Sequence, residues 1–420
     1  MEANPYVMEV SFRATLRNVA SLLWSRRNEP RYGVRFNQFS QSMERLDGTP
    51  IQVHHYIELA ISLEADHEWD GRPPSVELVR QAATHVSRQQ GQTYHPVREY
   101  LLEQHALLEA DLDLKRVALD MLDRWLTDYC KVKKSEAPNL RARQSRCLLI
   151  GAVARIMQPG CQHDLLPIFA SPQGWRKSTM IREMVPRDEW RSSTAPDLRS
   201  KDAYQSCENT WIGEIPELKS ILSTSPEVTK AWITSRTDKY RKPYARHFTH
   251  SPRQCVWWGS CNPPFVLPDK TGNRRYWVLE MREPADIQAI IQNRHLLWGA
   301  AMIRYLAGEP WHLTDGAELA QVEAEREPYE CDVDSWHHRA VLYRDEVRQK
   351  EEVNREPYLF RSADFLAYPL GIPLKDQTRS HVARASTALK RAGFFSYRTM
   401  HEVGGIRKQA RVWRLDRVND

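Results

Sequence analysis

The sequence lacks the features that would place it in a membrane or in a disulfide-rich or zinc-ribbon class. No stretch approaches the roughly 20 consecutive apolar residues that a membrane-spanning helix needs. Its seven cysteines are scattered without a C-x-x-C pair, so neither a disulfide framework nor a structural zinc site is predicted. The first residues also lack the basic start and apolar core of a signal peptide. We therefore expect a cytoplasmic protein with no membrane partner.

The composition is that of a globular protein with a mildly basic balance. Its 420 residues are 41% hydrophobic and 27% charged, and this length suffices for two or three separate hydrophobic cores. The formal net charge is +6 and the pI is about 8.9. A balance of this kind permits nucleic-acid binding without demonstrating it.

A lysine-containing loop follows the apolar run Leu165–Phe169. The stretch Ser171–Met180, SPQGWRKSTM, reads as strand, loop and helix start, which is the layout of a phosphate-binding loop at a helix N-terminus. Lys177 would reach the outer phosphates of ATP, and the Ser178 hydroxyl would bind Mg²⁺. The full set of expected nucleotide-binding residues is Gln173, Gly174, Trp175, Arg176, Lys177, Ser178 and Thr179.

The loop departs from the usual G-x-x-x-x-G-K-[ST] pattern. Ser171 and Arg176 occupy the two glycine positions, and Gly174 lies between them. A side chain at the position before the lysine is expected to cost about 1 kcal/mol of backbone strain. On its own, a Lys-Ser-Thr stretch after an apolar run is more often a plain helix start.

Carboxylates end a second predicted strand, Trp211–Leu218. A nucleotide-hydrolysing site needs an acidic group at a neighbouring strand end to hold Mg²⁺ and orient the attacking water. Either Glu214 or Glu217 fits this role, with Glu214 as the expected metal ligand. The alternative is a strand that runs into a solvated acidic turn.

Two further segments supply polar groups in the order that an AAA+-like ATPase requires. The predicted strand from Val256 ends at Asn262, which would sense the γ-phosphate or instead form an Asn-Pro turn. The turn Thr271–Trp277 presents Arg274 and Arg275, which would act on the nucleotide of an adjoining subunit. The alternative for this pair is a basic surface turn.

Two basic regions are candidates for DNA binding. The 236–246 segment is predicted as a loop with cations and tyrosines, typical of a single-stranded nucleic-acid groove. Its candidates are Arg236, Lys239, Tyr240, Arg241 and Lys242. A solvated loop pinned by its tyrosines is equally compatible, and Arg241 could instead face the nucleotide.

The C-terminal region, 346–420, reads as helix, helix and hairpin, which is a winged-helix pattern. Its DNA-binding candidates are Arg384, Arg391, Arg398, Arg407, Lys408 and Arg411. A winged helix used for protein contacts is the alternative.

The remaining segments define the expected domain boundaries. Residues 1–115 read as a mostly helical adapter lobe, 116–312 as the ATPase domain, and 313–345 as an acidic linker helix. Within the ATPase domain, Arg141–Met157 is predicted as a helix with a polar face that carries Arg141, Arg143, Arg146 and Arg155.

These segments resemble the virulence-associated protein E-like family of phage, plasmid and genomic-island proteins. The resemblance is carried by GAVARIMQPG at 151–160, WIGEIPEL at 211–218, DKYRKPY at 238–244 and DKTGNRRYW at 269–277. Where family members have GQGIGKST-like loops, this chain has PQGWRKST, so the departure falls on the residues that would bind ATP.

The resemblance implies an α/β fold with a P-loop core related to superfamily-three and AAA+ helicases. It implies ATP and Mg²⁺ as cofactors, single-stranded or duplex origin DNA as a partner, and a homo-oligomeric ring, expected to be hexameric. The implied function is a replicative helicase or translocase of a mobile element, with a separate primase partner left open. The alternative is a DNA-binding initiator or scaffold that does not hydrolyse ATP.

Overall fold

The computed structural model describes residues 13–192, 196–198, 200–218, 221, 224–241, 249–262, 267, 273–329, 334–403 and 406–415. The chain divides into two units. The first comprises Met1–Pro263 with Arg274–Arg326, and the second comprises Pro264–Asn273 with Glu327–Asp420.

The first unit begins with a small lobe of helices and a short mixed sheet. Its elements are α1 (Leu16–Ser25), β1 (Val34–Asn37), β2 (Ser42–Arg45), α2 (Val53–Asp66), α3 (Val76–Ser87) and β3 (Thr93–Tyr94). The strand order is β2-β1-β3. The hydroxyls of Thr15 and Ser75 accept from backbone N–H groups in the first turns of α1 and α3, which fixes where these helices begin. The lobe has its own core, which includes Val19, Leu63 and Val79.

The rest of the first unit surrounds a parallel sheet. Its helices are α4 (Pro96–Ala110), α5 (Leu112–Asp128), α6 (Leu140–Met157), α7 (Lys177–Met184), α8 (Pro226–Ile233), α9 (Ile287–Leu306) and α10 (Gly316–Arg326). Its strands are β4 (Leu166–Ala170), β5 (Ile212–Pro216), β8 (Val256–Cys261) and β9 (Tyr276–Glu280), with β6 (Thr237–Tyr240) and β7 (Thr249–Pro252) in a separate hairpin. An α/β fold, as expected from the sequence, is therefore observed.

The four parallel strands lie in the order β5-β8-β4-β9. Ala170 at the end of β4 pairs with Cys261 of β8 and with Glu280 of β9, and Pro216 of β5 pairs with Ser260. Strands β4 and β8 are buried at every position, as is typical of parallel strands covered by helices on both faces. The carboxyl ends of all four strands therefore meet at one edge.

Helix α4 belongs to the core of the parallel sheet. Its residues Val97, Leu101 and Leu108 are buried in the same cluster as Phe169 and Trp258, whereas the core of the small lobe extends no further than Val86. Helix α4 thus packs with the parallel sheet, as does Phe39 of the small lobe, and the boundary after residue 115 stays a prediction. Amphipathic helices give no sequence signal for which of two adjacent cores they cover.

The polar face of α6 is largely buried, and three of its four arginines are paired with carboxylates. Arg143 and Arg146 both donate to Glu309, at 2.8 and 2.7 Å, and Arg146 also donates to Asp123 at 2.7 Å. Arg141 contacts Glu325 at 2.9 Å. These guanidinium groups can be buried because carboxylates from elsewhere in the unit neutralise them.

The same contacts correct the expected linker at 313–345. Its first part forms α10, which packs into the first unit through Val322 and through the Glu325–Arg141 contact. A 3₁₀ turn at Glu327–Tyr329 follows, and the next helix begins at Asp334 in the second unit. The acidic run is therefore not one solvated helix.

The second unit contains the expected order of helix, helix and hairpin, preceded by a further helix. Its elements are α11 (Asp334–Asn354), α12 (Ser362–Ala367), α13 (Arg379–Arg391), β10 (Phe394–Val403) and β11 (Ile406–Leu415). The two strands are antiparallel, and the helices cover one side of them around Phe360, Phe365, Phe394 and Trp413. In the described parts of the chain, no helix is both long and apolar enough to span a bilayer.

We predict that Glu309→Ala lowers the free energy of unfolding by about 2–3 kcal/mol, because two largely buried guanidinium groups lose a shared acceptor. Urea-induced unfolding measures this change. The matched control is Asp120→Ala, which breaks the exposed Asp120–Arg124 pair on α5 and should change stability by less than about 1 kcal/mol. Equal losses in both variants would contradict the stabilising role of the buried pairs.

Candidate functional site

The loop between β4 and α7 turns through two left-handed residues. Gly174 has a φ of 88° and Arg176 a φ of 63°, and Arg176 is the N-cap residue of α7. Its side chain is exposed, so the guanidinium group is not buried in the loop. The expected strain at Arg176 is thus present in the backbone, because a side chain in this region costs about 1–2 kcal/mol.

The Lys177 ammonium lies inside this loop. Its Nζ is 2.8 Å from the carbonyl oxygen of Ser171, 2.9 Å from the Ser171 hydroxyl and 3.0 Å from the carbonyl oxygen of Pro172. A fourth oxygen, Oδ1 of Asn262 at the end of β8, is 2.9 Å away. Burial lowers the pKa of Lys177. All four acceptors are neutral, so the charge is hydrogen-bonded without being neutralised by them.

Glu214 joins the loop helix to two strands. Its Oε1 accepts a hydrogen bond from the Ser178 hydroxyl at 2.6 Å and another from the Ser260 hydroxyl at 2.5 Å. Ser178 opens α7, Glu214 lies in β5 and Ser260 in β8, so the shared edge of the sheet brings the three together. A hydroxyl and one carboxylate are the ligand set that Mg²⁺ uses beside substrate phosphates.

Ser260 was missed by the sequence analysis. Side chains alternate along a strand, so Ser260 lies on the same face of β8 as Asn262, two residues later. That alternation was the signal that could have identified it. Its buried position and its bond to Glu214 make it a residue that orients the carboxylate.

The other expected residues of this region are placed around the cluster. Glu217 follows β5 in a left-handed turn with a φ of 52° and is exposed, so Glu214 alone meets Ser178. Gln173 is exposed in the loop and Thr179 is half-buried in α7. Trp175 packs against the sheet core, and its carbonyl oxygen accepts from the Ala285 N–H at 3.2 Å.

Arg274 and Arg275 lie at the opposite edge of the sheet. They end the 3₁₀ turn that precedes β9, and Tyr276 at the start of β9 pairs with Leu166 at the start of β4. The lysine loop follows the far end of β4, about 13 Å along a five-residue strand. The arginines line a cavity of 510 Å³ together with Trp277 and Trp311. The structure therefore does not bring them to Lys177 of the same chain.

The 236–246 segment is partly a hairpin rather than the expected loop. Thr237–Tyr240 forms β6 and pairs with β7. Arg236, Lys239 and Arg241 are exposed, but Tyr240 is only 5% exposed, so its ring is not available for stacking on a base. Strand alternation turns it inward with Asp238. Lys242 lies outside the described residues.

The basic candidates of the second unit fall on α13 and the hairpin. The Arg384 guanidinium lies over the ring of Trp336, 4.6 Å from its centroid. Arg398 of β10 is directly opposite Arg411 of β11, and Arg411 is exposed. The side chains of Arg391, Arg407 and Lys408 lie outside the described part of the structure.

Comparison with known proteins gave a family match and structural neighbours. The family model for the virulence-associated protein E-like domain matches residues 113–330, which is just over half of the chain. The apo structure of the NrS-1 C-terminal region (305-718) is 14% identical, with 72% of this chain and 75% of that chain covered and a TM-score of 0.37. Its A form is 15% identical, with coverages of 69% and 78% and a TM-score of 0.34. No curated protein matched.

We predict that Arg176→Gly raises the free energy of unfolding by about 0.5–1 kcal/mol, because glycine adopts a φ of 63° without steric cost. The control is Arg182→Gly, the same exchange at an exposed position in the last turn of α7, which should lower it by up to about 1 kcal/mol. Chemical denaturation measures both. Destabilisation by the two variants alike would show that Arg176 makes stabilising contacts that outweigh its strain.

Proposed function

Because the chain belongs to the virulence-associated protein E-like family, we propose that it is a DNA-acting P-loop ATPase of a mobile genetic element. It would assemble as a ring and use ATP hydrolysis to move along DNA as a replicative helicase or translocase. The observation that carries the proposal is the convergence of Lys177, Ser178, Glu214 and Asn262 at one edge of the sheet.

The nucleotide phosphates would bind above the lysine loop. The backbone N–H groups that open α7 favour an anion at this helix end. Lys177 now donates to neutral oxygens of its own loop and of Asn262. Exchanging some of these for β- and γ-phosphate oxygens would give the ammonium charged partners and stronger hydrogen bonds.

The metal and the attacking water would lie between Ser178 and Glu214. Mg²⁺ would take the Ser178 hydroxyl and phosphate oxygens, with Glu214 holding the metal shell or orienting the water. Ser260 keeps the carboxylate at this position through its 2.5 Å bond. Asn262, already next to the lysine, would contact the γ-phosphate.

Arg274 and Arg275 would complete the site of a neighbouring subunit. Their place at the amino edge of the sheet, a strand length from their own Lys177, favours action in trans over action in cis. A subunit that offers its phosphate loop at one edge and its arginines at the other forms head-to-tail contacts. Such heterologous contacts form a ring when the rotation between subunits closes, and a hexamer is the size that the family resemblance implies.

DNA would be bound through the second unit, used as a winged helix. Like charges directly opposite on an antiparallel pair destabilise it unless something neutralises them. The Arg398–Arg411 pair is therefore suited to a phosphate of the DNA backbone. The exposed face of α13, which carries Arg384, would enter a groove.

A second function, a DNA-binding scaffold without ATP hydrolysis, is favoured by one observation. Arg176 keeps a long cation beside the phosphate position, in a strained conformation that glycine would relieve. In that case Lys177 would keep its hydrogen bonds to oxygens of the protein itself while the protein functions. The parallel sheet would then serve only in assembly.

We predict that Lys177→Ala lowers DNA-stimulated phosphate release from ATP by at least about 100-fold, because the charge that stabilises the transferred phosphoryl group is lost. Lys133→Ala, which removes an exposed lysine paired with Glu280, should leave turnover unchanged.

The same assay separates the two functions. An intact protein that binds DNA but neither binds nor hydrolyses ATP would refute the ATPase and support the scaffold. If Arg176→Gly then gained turnover, the native loop itself would be the reason for the loss.

We predict that the double variant Arg398→Ala/Arg411→Ala binds DNA more weakly, and that the loss of affinity is the same for different DNA sequences. Two lost phosphate contacts should make the plot of log affinity against log salt concentration less steep by about 1.8 for duplex DNA. Titration of labelled DNA at several salt concentrations measures this slope. Lys375→Ala, an exposed cation in the 3₁₀ turn Leu374–Asp376, should leave the slope unchanged; an unchanged slope in the double variant would exclude the hairpin as the DNA contact.

A further inference from the structure

A buried arginine on α6 has hydrogen-bond donors that no described residue satisfies. Arg155 is 1% exposed, and its Nη2 donates to the carbonyl oxygens of His163 and Ser235, at 3.1 and 3.4 Å. Its Nε and Nη1 have no partner within the described part of the chain. Buried guanidinium groups are rarely left in this state, because each unsatisfied donor costs about 1–3 kcal/mol or more.

Two indole N–H groups nearby are in the same state. Trp232 of α8 and Trp257 of β8 are 2% and 4% exposed, and their ring centroids are 5.3 Å apart. Neither Nε1 atom has an acceptor among the described residues. An indole nitrogen can only donate, so both groups need an acceptor.

These side chains line one small cavity. Arg155, Trp232 and Trp257 surround it together with Arg253 and His163, and its volume is 10 Å³. A single water-sized sphere has about this volume. The cavity therefore has room for a single small ligand and none for a nucleotide or a peptide.

The charges around the cavity do not balance. Arg253 is paired with Asp238, whose Oδ1 lies 2.9 Å from Nε and 2.5 Å from Nη2. Burial lowers the pKa of His163 to about 3, so this ring is neutral at pH 7. The positive charge of Arg155 is therefore left without a carboxylate partner among the described residues that line the cavity.

We propose that this cavity binds a small monovalent inorganic anion of the size of chloride. An anion would accept from the Arg155 guanidinium and the indole N–H groups together, and would neutralise the unpaired charge. A water could accept from the guanidinium and indole groups and donate to the unsatisfied Nε2 of His163, but it fits less well because it would leave the charge of Arg155 without a counter-ion.

The anion would hold separate elements together. Arg155 comes from α6, Trp232 from α8 and Trp257 from β8, while Arg253 follows β7. A ligand that binds only the folded protein raises its stability with ligand concentration. The site shares no residue with the Lys177 cluster, so the inference stands independently of the proposed ATPase.

Bromide, which replaces chloride and scatters anomalously at its absorption edge, tests the site directly. Crystals of the full chain grown in sodium bromide should show an anomalous peak within hydrogen-bond distance of Arg155 Nε or Nη1. Arg155→Met should lose the peak, and Arg143→Met, which removes another largely buried arginine of α6, should keep it. A water or an empty cavity in the wild-type crystals would overturn the proposal.

A solution measurement covers the case in which Arg155→Met fails to fold. At constant ionic strength, the wild-type unfolding temperature should rise as chloride replaces gluconate, which is too large for the cavity. Trp257→Phe removes one donor while keeping a ring, and should reduce this dependence. An unfolding temperature independent of the anion would refute a diffusible anion.

Discussion

The hydrogen bonds of one buried ammonium group organise the candidate site. Lys177 reaches Ser171 and Pro172 within its own loop, and it reaches Asn262 only because β4 and β8 are neighbours with their carboxyl ends at the same edge. The register that pairs Ala170 with Cys261 sets this distance. Glu214 enters from the next strand and reaches Ser178 at the start of α7. The proposed chemistry therefore depends on the order and register of three parallel strands.

Several cationic side chains are buried in the first unit, and their surroundings are of three kinds. The arginines of α6 that face other helices are neutralised by carboxylates such as Glu309 and Glu325. Lys177 is hydrogen-bonded to neutral oxygens and so retains a charge that an anionic substrate can use. Arg155 keeps donors that no described residue satisfies. The last two are the positions where an anion from outside the chain would be held most strongly, since desolvated charges interact more strongly than solvated ones.

The sequence predicted the helices and strands better than the contacts that their side chains make. Apolar patterns located α6 and the strands β4, β5 and β8, since these signals are local. The loop order also identified Lys177, Ser178, Glu214 and Asn262. The burial of Tyr240 and of the α6 arginines was missed, because it depends on strands and helices that are distant in the chain. Choosing between Glu214 and Glu217 likewise required the strand register, which places only Glu214 beside Ser178.

The central claim is that the lysine loop binds a nucleotide through its phosphates in spite of Arg176. The most direct test is a titration of the protein with a fluorescent, non-hydrolysable ATP analogue, with and without Mg²⁺ and single-stranded DNA. The account predicts saturable binding that Mg²⁺ strengthens and that excess unlabelled ATP displaces. Absence of saturable binding under all of these conditions, by protein that is folded and still binds DNA, would contradict it.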